Sequence, residues 1–240
     1  MRVYVQKDIA AQMLSLSLRP TMLEDLPEPV DAYAAIQRSV NPSQIITNLG
    51  LNAPRGLAIG SDGTIYVADT FNSRIVKLDA AGNLLATWGS RTPYGQTSSA
   101  PGTFNEPWGV AVDNEGNVFV ADTWNHRVQK FNSNGEFLLE WSSAGLASEG
   151  PDRLWGPRGI AVSPASHVYL TDTDNKRVAV FDAFGKYLFE FGAAGGGRLD
   201  EPVGIAIGPD GRVFIADTWN LCVAVFTAEG QSISSWPVQG

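Results

Sequence analysis

The residues best suited to chemistry occur in repeated sets of an aspartate, an asparagine and an arginine. Each set follows a P-x-G tripeptide, and its aspartate stands 15 residues after the proline of that tripeptide. Carboxylate and guanidinium groups form strong charge-assisted hydrogen bonds. A catalytic residue is needed once, whereas a structural contact is needed in every unit. We therefore predict that these residues staple strand ends and neighbouring units together. The predicted staples are Asp69, Asn72, Arg74, Asp122, Asn125, Arg127, Asp172, Asn175, Arg177, Asp217 and Asn220.

Positions that differ from one set to the next are better candidates for specific binding. They are the middle residue of each tripeptide and the residue that follows each Asp-Thr pair. Aromatic and arginine side chains are enriched where proteins anchor their partners. We therefore predict a binding rim made by Arg55, Phe71, Trp108, Trp124, Arg158, Asp174 and Trp219. The alternative for Trp124 and Trp219 is that they pack between the units.

Groups for catalysis or metal binding are scarce. The two histidines, His126 and His167, are expected at opposite ends of their strands, too far apart to share a metal whose bonds are about 2 Å long. No Ser-His-Asp arrangement and no phosphate-binding glycine-rich motif can be assigned. We predict no catalytic residues, no metal site and no cofactor, and we expect a protein that is not an enzyme.

The elements that position these residues follow from an internal repeat. Four units of forty residues cover 51–90, 104–143, 154–193 and 199–238. The second unit has four runs rich in β-branched and aromatic residues, separated by turns that contain Asn and Gly: GVAVD, NVFVADT, RVQKF and FLLEW. Four such strands form an antiparallel meander, and repeated meanders packed face to face form a β-propeller. The predicted fold class is all-β; a parallel β-helix is the competitor, but its repeats are much shorter.

These units resemble the NHL-repeat family of β-propellers. The segments PRGLAIGSDGTIYVADTFNSRI and PWGVAVDNEGNVFVADTWNHRV follow the family pattern closely. The third unit has Thr171 in place of alanine and Ser166 at its turn glycine, and the fourth has Cys222 in place of arginine. The resemblance implies blades of a six-bladed ring. It implies little about activity, because one fold serves many functions. Propeller lyases similar to this fold use several channel histidines with a metal, and this sequence does not supply them.

Composition narrows the class of partner. The chain of 240 residues has 44% hydrophobic residues, which is ordinary for a globular protein. Its formal net charge of −8 argues against a surface that binds phosphate groups. We therefore expect no nucleic-acid partner. No apolar run is long enough to span a bilayer, and the single cysteine, Cys222, excludes an intrachain disulfide. The compartment is not determined by the sequence.

The domains are predicted as an N-terminal segment, 1–43, and a propeller, 44–240. The N-terminal segment contains DIAAQMLSL, a candidate short helix, followed by an acidic linker with several prolines. Residues 44–50 resemble the fourth strand of a blade whose other strands are not upstream. We expect either an incomplete six-bladed ring or four blades that close alone. The opening residues MRVYVQKDIA resemble a segment that joins membrane glycosyltransferase-like proteins of bacteria and archaea to a C-terminal propeller.

Three functions are compatible with these features. The first is a non-catalytic module that recognises a protein, peptide or glycan through the rim. The second is an accessory extracytoplasmic domain of a membrane-bound glycosyltransferase. The third is a degenerate propeller lyase or hydrolase.

Overall fold

The computed structural model describes residues 3–4, 45–46, 49–89 and 98–238. The chain forms two compact units, residues 1–50 and 51–240. In the first unit, strand β1 (Val3–Tyr4) pairs antiparallel with β2 (Ile45–Ile46). The sequence predicts instead that residues 44–50 start the propeller as a strand without an upstream partner. Short β-prone segments satisfy their backbone groups with any strand in reach, and here that strand is β1. The predicted helix at DIAAQMLSL lies outside the described residues.

The second unit consists of four antiparallel four-stranded sheets, which we number as blades 1 to 4. Blade 1 contains β3 (Gly56–Ile59), β4 (Ile65–Asp69), β5 (Arg74–Leu78) and β6 (Leu84–Trp88). Blade 2 contains β7 (Pro107–Val112), β8 (Val118–Asp122), β9 (Arg127–Phe131) and β10 (Phe137–Trp141). A short parallel pair, β11 (Ser143–Ala144) and β12 (Arg153–Leu154), lies in the connector that follows.

The remaining two blades repeat the same order of strands. Blade 3 contains β13 (Pro157–Val162), β14 (Val168–Asp172), β15 (Arg177–Phe181) and β16 (Tyr187–Phe191). Blade 4 contains β17 (Pro202–Ile207), β18 (Val213–Asp217), β19 (Cys222–Phe226) and β20 (Ser232–Pro237). In each sheet the strands lie side by side in chain order, as the predicted meander requires. The fold class is therefore the predicted one, an all-β propeller of four-stranded blades.

Successive blades pack face to face through apolar residues of their middle strands. Between blades 1 and 2, for example, Tyr66 and Ile75 pack with Val120 and Phe131 in one buried cluster. Alternate residues of a strand face opposite sides of its sheet, so a fully buried middle strand covers both of its neighbours. This explains why every residue of β8 and of β14 is buried.

In blades 1 to 3, an aromatic ring at the end of the fourth strand lies against a turn of the next blade. The rings of Trp88, Trp141 and Phe191 contact the glycines Gly135, Gly185 and Gly230 of these turns. All three glycines have φ close to +80°. A side chain there would be strained and would also strike the ring, so the turn must be glycine.

The threonines that directly follow the repeated aspartates bind the next blade. Thr123 donates its hydroxyl hydrogen to the backbone oxygen of Pro157 at 2.8 Å, and both groups are buried. Thr70 and Thr173 do the same to Pro107 and Pro202. This role is not evident from the sequence, although the threonine recurs in every unit.

The series of blades is open between its first and fourth members. Packing of first strands joins β3 to β7, β7 to β13 and β13 to β17, and no packing of similar extent joins β3 to β17 in the described residues. The face of blade 4 that points away from blade 3 is accordingly accessible: Trp236, equivalent to Trp141, is 52% exposed. The structure thus has an arc of four blades.

Candidate functional site: the channel mouth

Two loops of each blade meet at one end of the arc. A backbone hydrogen bond links the loop after the second strand to the loop that enters the first, as from Phe71 N–H to Asn52 O and from Trp124 N–H to Asn105 O. The same bond recurs in blades 3 and 4. The middle residues of the P-x-G tripeptides and the residues after Asp-Thr are therefore at the same end, as predicted from the meander.

The predicted staple residues bind one another within each blade. In blade 3, Arg177 Nε donates to Asp172 Oδ2 at 2.8 Å, Asn175 donates to the same oxygen, and the N–H of Trp155 donates to Oδ1. Arg177 also pairs with Glu190 on the fourth strand. Blades 1 and 2 repeat the core of this arrangement, Arg to Asp and Asn to Asp, at 2.7–2.9 Å. The set links a blade to its own incoming connector. The contact to the neighbouring blade, which the sequence pattern also assigns to these residues, is made by threonine.

Burial and hydrogen bonding act in opposite directions on these aspartates. Desolvation raises the pKa of Asp122 and of Asp172, and the backbone and side-chain donors around each carboxylate oppose that rise. In blade 4 the arginine is replaced by Cys222, so Asp217 keeps only the donors Asp200 N–H and Asn220 among the described residues. Burial raises the pKa of the Cys222 thiol, and nearby Asp217 adds to the rise.

Three rim residues from three different blades form one cluster. The Arg55 guanidinium carbon lies 3.5 Å from the centre of the Trp108 ring, and that of Arg158 lies 4.5 Å from the same ring. Each guanidinium group is attracted to the face of the indole ring. The two positive charges also repel each other, so a cation–π attraction alone does not explain why both lie on one ring. We call Arg55, Trp108 and Arg158 the channel mouth.

Acidic residues partly balance the two arginines. Arg158 pairs with Glu201 at 2.8 Å, and the negative charge of Glu106 acts to raise the pKa of Arg55. Both glutamates precede a proline and have φ values of 50° and 55°. Ala53 and Gly156 occupy the same place in blades 1 and 3 with similar positive φ, so the repeat requires this backbone turn whatever the residue.

The channel mouth contains buried donors that lack acceptors. Trp108 Nε1 and Arg158 Nε are both inaccessible to solvent and have no hydrogen-bond partner among the described residues. A buried N–H without an acceptor costs about 1–3 kcal/mol. Burial also lowers the pKa of Arg55, against the effect of Glu106 and together with that of Arg158. The mouth therefore holds two buried donors without acceptors among the described residues, while Glu106, Glu201 and Asp174 supply its negative charge.

A channel continues from the mouth between the blades. Its cavity of about 420 Å³ is lined by the first strands of all four blades. Apolar side chains dominate the walls, among them Leu57, Val110, Ile160 and Ile205. Cationic groups at the entrance and an apolar interior suit a ligand with an anionic head and an apolar body.

A second group of aromatic residues lies beside the mouth. His126 Nδ1 accepts a hydrogen bond from Gly156 N–H at 3.0 Å, and its ring lies between those of Trp124 and Trp155 at 6.3 and 5.9 Å. Trp124 also donates to Glu106 at 3.2 Å. Burial lowers the pKa of His126, while Asp174 and Asp122 oppose this effect.

The structure brings together most, but not all, of the predicted rim. Phe71 joins the mouth, since Arg55 lies 5.5 Å from its ring centre. Burial raises the pKa of Asp174, and the positive charge of nearby Arg158 opposes this rise. Trp124 is 42% exposed and Trp219 71%, so neither packs between blades as an interior residue. No ring or cation contact joins Trp219 to the other rim residues within the described part of the chain.

Sequence reasoning missed four contributors: Glu106, Glu201, His126 and Trp155. The two glutamates could have been predicted as part of the site, because each directly precedes the proline of a P-x-G tripeptide, in units two and four. The sequence analysis considers His126 only as a metal ligand and rejects that role. His167 lines a different cavity, and no group of three His, Cys, Asp or Glu residues placed to hold a metal occurs among the described residues. In that part of the chain we also find no helix with the length and hydropathy of a membrane span.

Several known proteins are similar to this chain. Human (Homo sapiens) NHL repeat-containing protein 3 is 32% identical over 117 residues, which is 47% of this chain and 30% of that protein. Rat (Rattus norvegicus) peptidylglycine alpha-amidating monooxygenase is 30% identical over 128 residues, 50% of this chain and 13% of the enzyme. A probable peptidyl-alpha-hydroxyglycine alpha-amidating lyase of Caenorhabditis elegans is 39% identical over 82 residues, 33% of this chain and 22% of that protein. Each match thus spans less than a third of the relative.

Solved structures agree with the fold. A streptogramin B lyase structure superposes with a TM-score of 0.60 at 18% identity, covering 80% of this chain and 56% of the lyase chain. At that identity the likeness concerns the fold alone. The resemblance of residues 1–10 to glycosyltransferase-like proteins finds no support in these relatives.

The repeats themselves are matched as a family. The NHL repeat pattern matches residues 51–78, 104–131, 154–181 and 199–226, one segment in each blade. These segments contain the first three strands and all the staple residues of every blade. The chain therefore belongs to the NHL-repeat family of β-propellers.

Proposed function

We propose that the propeller is a binding module that captures a peptide or protein segment by a carboxylate held at the channel mouth. The observation that carries this proposal is the pair of guanidinium groups that share the ring of Trp108. Planar guanidinium groups match carboxylate geometry and bind it through paired hydrogen bonds.

The channel supports a peptide over the other predicted classes. An apolar side chain next to the carboxylate fits the walls of Leu57, Val110 and Ile160. A neutral glycan offers no carboxylate to the two guanidinium groups. Two relatives are named for peptide substrates, which is consistent with a peptide ligand here.

The test uses a library of seven-residue peptides that end in a free carboxylate and the same library with amidated ends. Enriched sequences are then measured by isothermal titration calorimetry against the wild type, the double variant Arg55→Gln/Arg158→Gln, and Arg212→Gln. Arg212 is the matched control, because it is an exposed arginine paired with Asp210 in a turn away from the mouth. Charged hydrogen bonds contribute about 1.5–3 kcal/mol, so we expect a loss of roughly 10- to 100-fold in the double variant only.

Equal binding of free and amidated peptides would contradict the proposal. So would an equal loss of affinity in Arg212→Gln. Thermal melting of each variant checks that the fold persists.

A second candidate is catalysis on a peptide at the same mouth. It is favoured by the names of the relatives, which include a monooxygenase and a lyase. Incubation of the enriched peptides with the protein, followed by mass spectrometry, tests it: a change in peptide mass that is absent from the Arg55→Gln/Arg158→Gln variant would establish turnover. An unchanged mass leaves the binding proposal as the function.

A further inference from the structure

Two of the three interfaces between blades contain a lysine that crosses to the next blade. At the first interface, Lys77 Nζ donates to Ser133 O at 2.7 Å and lies 5.7 Å from the centre of the Tyr66 ring. At the second, Lys130 Nζ donates to Ala183 O at 3.2 Å. These contacts are at the end of the blades opposite the channel mouth, beside the turn between third and fourth strands.

The lysine at the second interface is enclosed by aromatic rings. Lys130 Nζ lies 5.1 Å from the ring centre of Phe119 and 5.5 Å from that of Phe184. The residue is 7% exposed, so its four-carbon stem and its ammonium are largely withdrawn from water. An ammonium over aromatic faces that also has a carbonyl acceptor is a favourable arrangement at low exposure.

The third interface keeps the receptor but lacks the lysine. Val180 occupies the strand position of Lys77 and Lys130, directly before the last residue of its third strand. The ring of Tyr169 stands where Tyr66 and Phe119 stand in blades 1 and 2, and Ala228 O is the equivalent carbonyl oxygen. Valine carries no hydrogen-bond donor, so it cannot take the place of the lysine ammonium at this carbonyl oxygen.

A cavity of about 360 Å³ lies beside this ring and this carbonyl group, and Val180 is not among the residues that line it. Tyr169, Phe189, Ile207 and Ala228 line it, and Glu229 stands at its rim. The Tyr169 hydroxyl donates to Ala228 O at 2.9 Å, which leaves that carbonyl a second lone pair. Burial raises the pKa of Tyr169, and Glu229 adds to the rise, so the phenol remains a donor at neutral pH.

The charge at the cavity entrance is the main difference from the two interfaces that contain a lysine. The residue after the acceptor carbonyl is Asn134 at the first interface, Phe184 at the second and Glu229 at the third. Glu229 is exposed, so a group that approaches from solvent meets a carboxylate first. The other ionisable side chains in the lining are Tyr169 and His167.

We propose that this cavity binds the side chain of a lysine from a partner polypeptide, beside a ring and a carbonyl oxygen equivalent to those that Lys77 and Lys130 contact at the other interfaces. The stem packs against Tyr169 and Phe189, whose rings are in edge contact with each other, and the ammonium reaches Ala228 O and Glu229. The protein's own repeats thus define the chemistry of the ligand. The site is separate from the channel mouth, and neither proposal depends on the other.

The experiment compares two short probes by NMR titration of the full chain. They are acetyl-Gly-Lys-Gly-amide and the same peptide with norleucine, which keeps the stem without the charge. We expect shifts at the amides of Ala228 and Glu229, and an affinity at least tenfold higher for the lysine probe. Equal affinities would overturn the proposal, because the cavity would then recognise only an apolar chain.

Two variants locate the site. Val180→Lys introduces a lysine at the strand position of Lys77 and Lys130, where its ammonium would compete for Ala228 O, and should abolish binding of the lysine probe; binding that persists would contradict the proposal. Glu229→Gln, at an exposed position that carries no risk for folding, should weaken binding about two- to fivefold, the range of an exposed ion pair. Its control is Glu136→Gln, an exposed acid in the corresponding turn of blade 2, which should have no effect. An equal effect of both glutamine variants would also contradict it.

A third probe separates the possible sources of the ammonium. Butylamine has the stem and charge of lysine without a backbone. Weaker binding of butylamine than of the lysine peptide is expected for a polypeptide partner. Binding as tight as that of the peptide would show that a free amine is the ligand and would overturn the assignment to a polypeptide.

Discussion

The seating of an aromatic ring on a glycine turn predicts a large effect from one added methyl group. In Gly185→Ala, the new Cβ would lie 2.7 Å from Cγ of Trp141, about 1 Å inside ordinary contact. Trp141 has little room to yield, because its ring lies 6.2 Å from Phe119 and 6.0 Å from Phe181. Overpacking of this kind costs roughly 1–3 kcal/mol.

The effect of backbone strain at Gly185 on stability must be separated from the effect of the contact with Trp141. Gly185 has φ +81°, which costs an alanine roughly 1–2 kcal/mol. Gly211 has φ +82°, and a methyl group added there would have no neighbouring atom within 4 Å, so Gly211→Ala has the strain without the contact. The difference between the two variants should therefore be about 1–3 kcal/mol of unfolding free energy.

Urea denaturation followed by circular dichroism measures this difference. Both variants should keep the wild-type m value, so that midpoints report stability alone. Equal losses of stability would mean that Trp141 is not held against the turn, and the account of how blades lock together would then be wrong.

Two further predictions concern single side chains. Thr123→Val should lower the free energy of unfolding by about 1–3 kcal/mol by leaving a buried carbonyl unpaired. Thr218→Val, at the exposed equivalent in blade 4, should change it by less than about 0.5 kcal/mol. Burial lowers the pKa of His126, so the folded state binds its proton less readily than the unfolded state. The stability that neutral His126 provides is present above the ordinary histidine pKa and is lost as pH falls through the lower folded value.

Each of these has a direct check. Equal effects of the two valine variants in urea denaturation would contradict the role of threonine as a contact between blades. For the histidine, His126→Asn is suitable because asparagine tolerates the φ of 55° found there. Its stability should fall less than that of the wild type between pH 7.5 and 5, and an unchanged pH dependence would refute the reasoning.

The sequence predicts the blades well because their determinants are local. Alternation in segments such as NVFVADT and glycine in the turns lie within one unit of forty residues. The contacts of the site are different, since Arg55 meets Trp108 and Arg158 meets Glu201 from separate units. Spacing along the chain places these residues at one end of the fold but does not pair them. The role of Thr123 was missed for the same reason, because its acceptor belongs to the next unit.

The ring-on-glycine contact also gives the arc a direction. Every interface is heterologous: one blade contributes the aromatic ring and its successor contributes the turn that receives it. A blade is therefore a donor on one face and a receptor on the other, as a subunit is in a polar filament. Blade 4 presents the donor face, with Trp236 uncovered. Any further blade that packed on this face would have to contact Trp236 through its turn between the third and fourth strands, and the glycine of that turn would fix the position of the blade.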